Sequence, residues 1–414
     1  CLVGSEMCIR DRGVRGQGPG DRRHHPARAA ARPGRPRARV HLTRRPLAGR
    51  PVCTDESPAT LPAPVLHDVE PAIEVDLEPV DSVVVTTLMD NIADMLLPDM
   101  GPAHRITIGS GPLRPCTTMA GGQTPSPLLA EHGFSVLVTV AKGGTEHRFL
   151  FDTGASPDGI MRNMNFLDID PGSIEAIVCS HGHFDHTAGL DGLVRSLGQV
   201  NMPVLIHPHF WRRRRLVLPG RDPLEIPTTS RSALIQAGFD IIEERQPSFL
   251  FGRSVLITGE VARTTGYEPG FPPQQALLDG GWQPDPLVLD EQAMIVNVRG
   301  QGLVVITGCG HAGVINIARY AQRLCRGEPL YALIGGFHLA GPVFEPLIPR
   351  VVAELAEMNP GVIVPAHCTG WRAQHALAAR FPAAFIPNSV GTSFDLSAPV
   401  YDEPDQRKVN PASV

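Results

Sequence analysis

The chain has 414 residues, 37 basic and 42 acidic, and is 42% hydrophobic, which suits one large domain or one domain carrying a subdomain. The charge is unevenly placed: residues 1–50 hold 13 Arg against Glu6, Asp11 and Asp21, which leaves 24 basic and 39 acidic residues, a net −15, from 51 onward. That acidic body excludes a nucleic-acid surface built on cationic phosphate contacts, the short apolar runs exclude a membrane span, and eight cysteines without paired spacing point to reduced thiols in the cytoplasm.

In chain order, the first twelve residues, CLVGSEMCIRDR, read as no protein segment. Residues 7–12 back-translate to a sequence that resembles a transposon adapter, and the stretch to about Val52 is rich in Arg, Pro and Gly without apolar periodicity. Residues 1–52 are therefore expected to be a translation artefact or a disordered basic tail, unable to bury enough apolar surface to fold. Residues 53–80, acidic and Pro-rich, read as a linker, 81–395 as the folded domain and 396–414 as a C-terminal tail.

Structure is expected to start near the β-branched run 83–85, with 101–128 a long loop. Strands at 135–141 and 147–151 are joined by the hairpin signal Lys142-Gly143-Gly144. A buried strand at 174–179 runs into a histidine cluster, and a helix at 188–197 closes at Gly198. Residues 199–300 read as an insertion on the substrate side. Beyond it, strands at 303–306, 331–334, 362–364 and 383–386 alternate with helices at 312–326, 345–358 and 371–380. Such alternation implies an α/β fold with parallel strands, right-handed crossovers and strand C-termini gathered along one edge, where α/β proteins place their sites.

Ligand-type residues stand at those strand ends. Residues 180–186 read S-H-G-H-F-D-H, with His181, His183, Asp185 and His186; 307–311 read T-G-C-G-H, with Cys309 and His311; 335–339 read G-G-F-H-L, with His338; 365–370 read P-A-H-C-T-G, with His367. Packing does not explain such convergence, and a metal site does. His181 and His183, two apart in an extended loop, suit one ion, and Asp185 and His186 then face a neighbouring position. A single ion would leave the Asp185 carboxylate buried without a cation, at a cost of several kcal/mol. Two divalent ions are therefore expected, zinc foremost and iron or manganese as alternatives, with His311, His367 and Cys309 completing the ligand count. Cys309 remains open between a thiolate ligand and a structural thiol, and His338 between ligand, proton donor and substrate contact.

The cluster 180–186, with F-D-T-G (151–154) before it and P-A-H (365–367) after it, resembles the metallo-β-lactamase superfamily. The resemblance implies an αββα sandwich over about residues 80–395, with the ions at one edge. It implies His181, His183, Asp185, His186 and His367 as ligands, and Asp152 as a carboxylate that orients them. A narrower likeness, in E-H-G-F-S (131–135), T-G-E-V-A-R (258–263), T-G-C-G-H-A-G (307–313), G-G-F-H-L and P-A-H-C-T-G, is to the dihydropterin–ribofuranosylaminobenzene-phosphate synthase-like branch. Two departures stand out: T-G-C replaces the superfamily's frequent T-G-D, and residues 210–300 contain no histidine, which leaves His311 as the substitute ligand.

The activity so implied is hydrolysis of a small anionic, possibly phosphorylated, substrate by a metal-activated water, with Asp185 taking the proton and His338 a second catalytic candidate. Arg263, Glu268 and His132, with Glu131 beside it, are the expected substrate-side residues, a guanidinium suiting bidentate contact to an anion. The alternatives are a synthase-type transferase that polarises a leaving pyrophosphate, and a non-catalytic binding protein. W-R-R-R-R (211–215) reads either as a phosphate site or as a solvated charge run.

Overall fold

A computed structural model describes residues 66–67, 74–198 and 201–397. The expected basic segment 1–52, most of the expected linker and residues 398–414 lie outside the described residues.

Two mixed sheets face one another. The first has eight strands in the order Phe239–Glu243, Met202–Ile206, Ala176–Val178, Thr145–Phe151, Ser135–Lys142, Ser82–Met89, Ser393–Asp395 and Ala103–His104. The second has six, in the order Ser248–Leu250, Val255–Ile257, Met294–Val298, Gly302–Thr307, Leu330–Gly336 and Val362–Ala366. Val83, Val85, Val138 and Phe149 of the first pack with Val296, Val304, Ile334 and Val364 of the second in one buried cluster. Period-two alternation sends the opposite face of each sheet outward, to be covered by helices. Leu150, Ile177 and Val204 meet Ile160, Met164 and Leu193 of helices Gly159–Phe166 and Leu190–Leu197. Leu303, Leu333 and Ile363 meet Ile317, Val351 and Leu377 of helices Val314–Leu324, Ile348–Met358 and Trp371–Arg380. The layers run helix, sheet, sheet, helix, the αββα sandwich.

Local signals account for many element ends. Gly143 and Gly144 both take positive φ (57° and 80°), as a two-residue hairpin turn requires. Gly198 ends its helix at φ 70°.

The alternating run Gly302–Thr307 through Val362–Ala366 is parallel as expected, and so is Thr145–Phe151 through Phe239–Glu243, whereas the remaining ladders, the hairpin at 143–144 included, are antiparallel. Several expectations are corrected. Residues 199–300 are not a separable insertion, because Met202–Ile206, Phe239–Glu243, Val255–Ile257 and Met294–Val298 are central-sheet strands. Only the four-stranded sheet Leu224–Ile226, Arg214–Leu216, Gln274–Leu278 and Gly281–Pro284 stands apart from them. The linker does not reach 80, since Val75, Leu77 and Val80 are buried and Val80 bridges to Val298. The expected strand at 383–386 is a single bridge from Phe385 to Ile363, and Leu396, assigned to the tail, is buried. The expected loop 101–128 carries the ladder Leu113–Pro115 with Gln123–Pro125. No described helix is long and apolar enough to cross a membrane.

Candidate metal centre

Every ligand-type residue singled out from sequence follows a strand that points to one rim. Asp152 follows Thr145–Phe151, His181 to His186 follow Ala176–Val178, Cys309 and His311 follow Gly302–Thr307, His338 follows Leu330–Gly336, and His367 follows Val362–Ala366. There seven of them form two sets whose candidate donor atoms lie within 4.8 Å of one another: His181, His183 and His311, then Asp185, His186, Cys309 and His367.

The hydrogen bonds set which nitrogen of each ring faces inward. His183 Nε2 lies 2.6 Å from Gln274 Oε1, an acceptor, so it carries the proton and Nδ1 is bare. That Nδ1 is 2.9 Å from His181 Nε2 and 3.3 Å from His311 Nε2. Three ring nitrogens at this spacing match the edges of a coordination polyhedron around a zinc-sized ion. His181 Nδ1 donates to Ser180 Oγ (2.9 Å), which leaves its Nε2 as the lone-pair side.

Asp152 organises both sets. Its carboxylate accepts the Ser180 N–H (2.6 Å), the Ser180 hydroxyl (2.7 Å) and His186 Nδ1 (2.7 Å). One buried carboxylate therefore orients His181 through Ser180 and His186 directly, as metal-binding histidines require. His186 Nε2 is left buried without a hydrogen bond, and so are both ring nitrogens of His367. His367 Nε2 lies 3.3 Å from Asp185 Oδ2 and His186 Nε2 3.7 Å from the same oxygen, close but without hydrogen-bond geometry. Buried polar atoms are rarely left orphaned. An ion between these three groups would take Asp185 Oδ2 and the Nε2 atoms of His186 and His367, so the residues present fit two divalent cations.

The electrostatics agree. Burial pushes His181 and His311 well below the ordinary histidine range, helped by the neighbouring imidazoles and by Arg214 for His181 and Arg263 for His311, and burial with Arg214 brings His183 down to about 4. These rings are neutral at pH 7, the state a metal ligand needs. Burial opposes charge on His186, but Asp152 and Asp185 outweigh it and raise the ring to about 9. Burial also opposes charge on Asp185, and the imidazoles of His186 and His367 outweigh it, so its carboxylate stays ionised. Burial pushes the Cys309 thiol well up.

Glycines hold the loops close. A Cβ on Gly182 would lie 2.3 Å from the Phe210 carbonyl oxygen and 2.8 Å from Arg214 Nη1, so only glycine fits between His181 and His183. His367 and Asp152 are non-glycine residues at positive φ (49° and 58°), pinned by their surroundings. The His367 N–H donates to Asp90 (2.7 Å) and its carbonyl accepts from Asn91 (2.7 Å).

The substrate-side expectations divide. His132 lines the cavity beside the two ligand sets, its ring centroid 4.8 Å from that of His367, and His338 lines the same cavity. Arg263 does not: it is 2% exposed, and its guanidinium donates to the backbone carbonyls of His311 (3.0 Å) and Leu287. It braces a ligand loop from behind. Glu268 accepts the backbone N–H groups of Ile315 and Asn316 (3.0 Å each) and the Thr265 hydroxyl (2.9 Å), capping helix Val314–Leu324. Its burial raises it to about 7. Glu131 accepts the N–H groups of Ala155 and Ser156 (2.8 and 2.9 Å), a structural role. The arginine run is neither phosphate site nor free charge. Arg212 pairs with Asp285, Arg213 with Glu225, the buried Arg214 with Asp290, and Arg215 bonds Gln275 and covers Trp282.

Sequence reasoning missed the buried triplet Asp290-Glu291-Gln292. Asp290 accepts the Gly182 N–H (2.8 Å), Glu291 accepts the N–H groups of His311 (2.8 Å) and Ala312, and Gln292 bonds the Cys179 carbonyl (2.9 Å) and the Ser180 carbonyl (2.9 Å). It clamps both ligand loops to one strand start. The available signal was three polar residues directly before the apolar run 293–296.

The centre opens into a cavity of about 190 Å³ walled by Phe184, Leu216, Ile226 and Phe271, with no Lys or Arg in its lining among the described residues.

A profile of the metallo-beta-lactamase superfamily matches residues 130–367. The chain is 29% identical over 267 residues to a 7,8-dihydropterin-6-methyl-4-(beta-D-ribofuranosyl)-aminobenzene-5'-phosphate synthase of Methanocaldococcus jannaschii, spanning 63% of this chain and 88% of that protein. It is also 29% identical over 245 residues to an uncharacterised protein of the same organism, spanning 59% of this chain and 86% of that protein. Among solved structures it is similar to Tm1679, a metal-dependent hydrolase of the beta-lactamase superfamily. The identity is 24% and the TM-score 0.56, covering 76% of this chain and all of that one.

Proposed function

Because the chain belongs to the metallo-β-lactamase superfamily, we propose that it is a metal-dependent hydrolase of a small substrate that turns an anionic or carbonyl end to two divalent ions and an apolar body to the cavity wall. The carrying observation is the pair of ligand sets sharing one orienting carboxylate, Asp152, at the floor of one cavity. When bound, the ions supply Lewis acidity and lower the pKa of water towards ~7.

The chain's own residues do the rest. His181, His183 and His311 stay neutral through burial and present bare nitrogens. Asp185, kept ionised beside His186 and His367, holds the proton released by the attacking water. Phe184, Leu216, Ile226 and Phe271 exclude bulk water and strengthen every charge interaction at the floor. His132 and His338 reach the substrate from the cavity sides. With no Lys or Arg among the described lining residues, the substrate's negative charge would be met by the ions themselves.

The test is purification without chelator, elemental analysis, and a screen of lactone, thioester and phosphoester substrates. We expect about two equivalents of zinc, iron or manganese and hydrolysis that falls at least a hundredfold in Asp185→Asn. A protein that never exceeds one equivalent on metal titration, or an Asp185→Asn variant of full activity, defeats this reading. A second reading, synthase-type transfer, rests on the named relative that the chain covers over most of its length. Coupling of a dihydropterin to a ribofuranosylaminobenzene phosphate in preference to any hydrolysis would favour it.

A further inference from the structure

Beside the two ligand sets, a third cluster of donor atoms within 4.8 Å of one another joins Cys309, Cys368 and His338. Three neighbouring parallel strand ends supply it: Gly302–Thr307 leads to Cys309, Leu330–Gly336 to His338, and Val362–Ala366 to Cys368.

The local backbone is arranged for the sulfurs to meet. The Gly336 N–H donates to the Gly308 carbonyl (3.0 Å), and the Cys368 thiol donates to the Cys309 carbonyl (3.0 Å). A Cβ on Gly336 would come within 2.4 Å of the Gly308 oxygen and 2.8 Å of Cys368 Sγ, so glycine keeps this space clear. His338 sits at φ 46°, a conformation uncommon for a non-glycine residue and one that persists only where the surroundings hold it. Its ring is wedged among His311, Phe344 and Phe271, with centroids 4.3, 4.6 and 5.0 Å away, and its Nδ1 is buried without a hydrogen-bond partner.

The other histidine cluster of similar size is built differently. His207 Nδ1 accepts the His209 N–H (3.0 Å), so its Nε2 carries the proton and donates to Glu260 (3.1 Å), which also pairs with Arg245 (2.6 Å). That ring has no lone pair left for an ion, and a guanidinium already occupies the carboxylate. In the cysteine cluster the Cys368 thiol donates to the Cys309 carbonyl (3.0 Å), but loss of that proton frees the sulfur's lone pairs for an ion, and no cationic side chain pairs with it.

We propose that Cys309, Cys368 and His338 form a third ion seat, selective for a thiophilic divalent ion such as Zn²⁺ or Cd²⁺, in which the Cys309 thiolate bridges to the ion held by Asp185, His186 and His367. This rests on the two-ion reading above. Two thiolates and one imidazole with a fourth position open to the cavity, which all three residues line, is a ligand set that zinc takes in enzymes. Soft thiolates favour zinc and cadmium over manganese, whereas the two imidazole and carboxylate sets accept all three. Binding releases the two thiol protons to solvent, and no electron transfer is involved.

The experiment is titration of chelator-stripped, fully reduced protein with Mn²⁺ and separately with Cd²⁺, reading bound equivalents and the ultraviolet thiolate-to-cadmium charge-transfer band. We expect two equivalents of Mn²⁺ and three of Cd²⁺ in the wild type. Cys368→Ser should take two of Cd²⁺ with a charge-transfer band reduced by about two-thirds, since of three sulfur–cadmium bonds, two from the bridging Cys309 and one from Cys368, only one remains. His338→Ala, which alters no thiol, should also stop at two and guards against misfolding of the cysteine variant. Two equivalents of each ion in the wild type, or three of Cd²⁺ in both variants, overturns the third seat and leaves the two-ion reading standing. Fewer than two of Mn²⁺ overturns both.

Discussion

Asp152 shows how much of a metal centre depends on one side chain that touches no ion. Its carboxylate receives three short hydrogen bonds, and through them it sets the tautomer of a histidine in each ligand set. Asp152→Asn keeps the size and tolerates the positive φ of 58°, but its amide nitrogen cannot accept. Affinity at both sets should weaken about 10- to 100-fold, measured by competition with a chromophoric chelator. Loss at one set alone would show that Ser180 holds His181 unaided. His183 carries a second consequence. Its ring is at about 4 in the fold against 6.5 unfolded, so the unfolded chain binds the extra proton between those values and stability rises with pH across them. Chelator-treated protein should therefore lose roughly 2–3 kcal/mol of stability per such ring as pH falls from 6.5 to 4. His186 runs the other way: raised to about 9, its contribution is present below 6.5 and lost as pH rises towards 9. Melting temperatures of stripped wild type and His183→Gln across pH 4–9 check both signs. A wild-type profile flat below 6.5 would contradict the buried neutral ring.

At the scale of elements, the ligand loops work because other segments hold them. The triplet 290–292 ties the loop around Gly182 and the loop around His311 to the start of strand Met294–Val298. Gly182 shows the tolerance involved. The added methyl of Gly182→Ala meets the Phe210 carbonyl at 2.3 Å, and backbone cannot yield as a flexible side chain can. The loop must shift, so this variant should lose about 2–4 kcal/mol of stability and take up less metal at the His181, His183 and His311 set. Chemical denaturation and elemental analysis read the two effects. Wild-type metal content together with wild-type stability would mean that the loop is more yielding than its contacts imply.

For the whole molecule, the αββα layering places the C-terminal ends of Thr145–Phe151, Ala176–Val178, Gly302–Thr307, Leu330–Gly336 and Val362–Ala366 along one rim. The interlayer core of Val, Ile and Phe fixes the two sheets' relation, and with it the spacing of ligands that lie up to 186 residues apart in sequence, from His181 to His367. Residues 1–52 lack the apolar periodicity from which such a core is built. A protein lacking 1–52 should melt within a degree or two of the full chain, since a segment without core-forming residues adds little to stability. Scanning calorimetry of both forms decides it. A drop of several degrees would show that the segment packs on the domain.

The sequence by itself determined what local geometry determines. Ligands within 181–186 share one loop, so their spacing alone groups them, and the hairpin at 143–144 and the stop at Gly198 are written in residues that tolerate positive φ. Alternating apolar runs likewise specify strands and helices whose faces must be buried, which is why the layered α/β class was legible. Partner choice over long distances was not. Whether His311 or Cys309 joins His183 depends on how strand Gly302–Thr307 registers against its neighbours, and only the packed sheets decide that. Arg263 reads as an anion contact because its charge is visible and its burial is not. In the fold, desolvation and two backbone carbonyls make it a brace. Asp290, Glu291 and Gln292 passed unnoticed for the same reason, since a polar residue becomes a clamp only when tertiary packing strips it of water and leaves a distant N–H or carbonyl as its one partner.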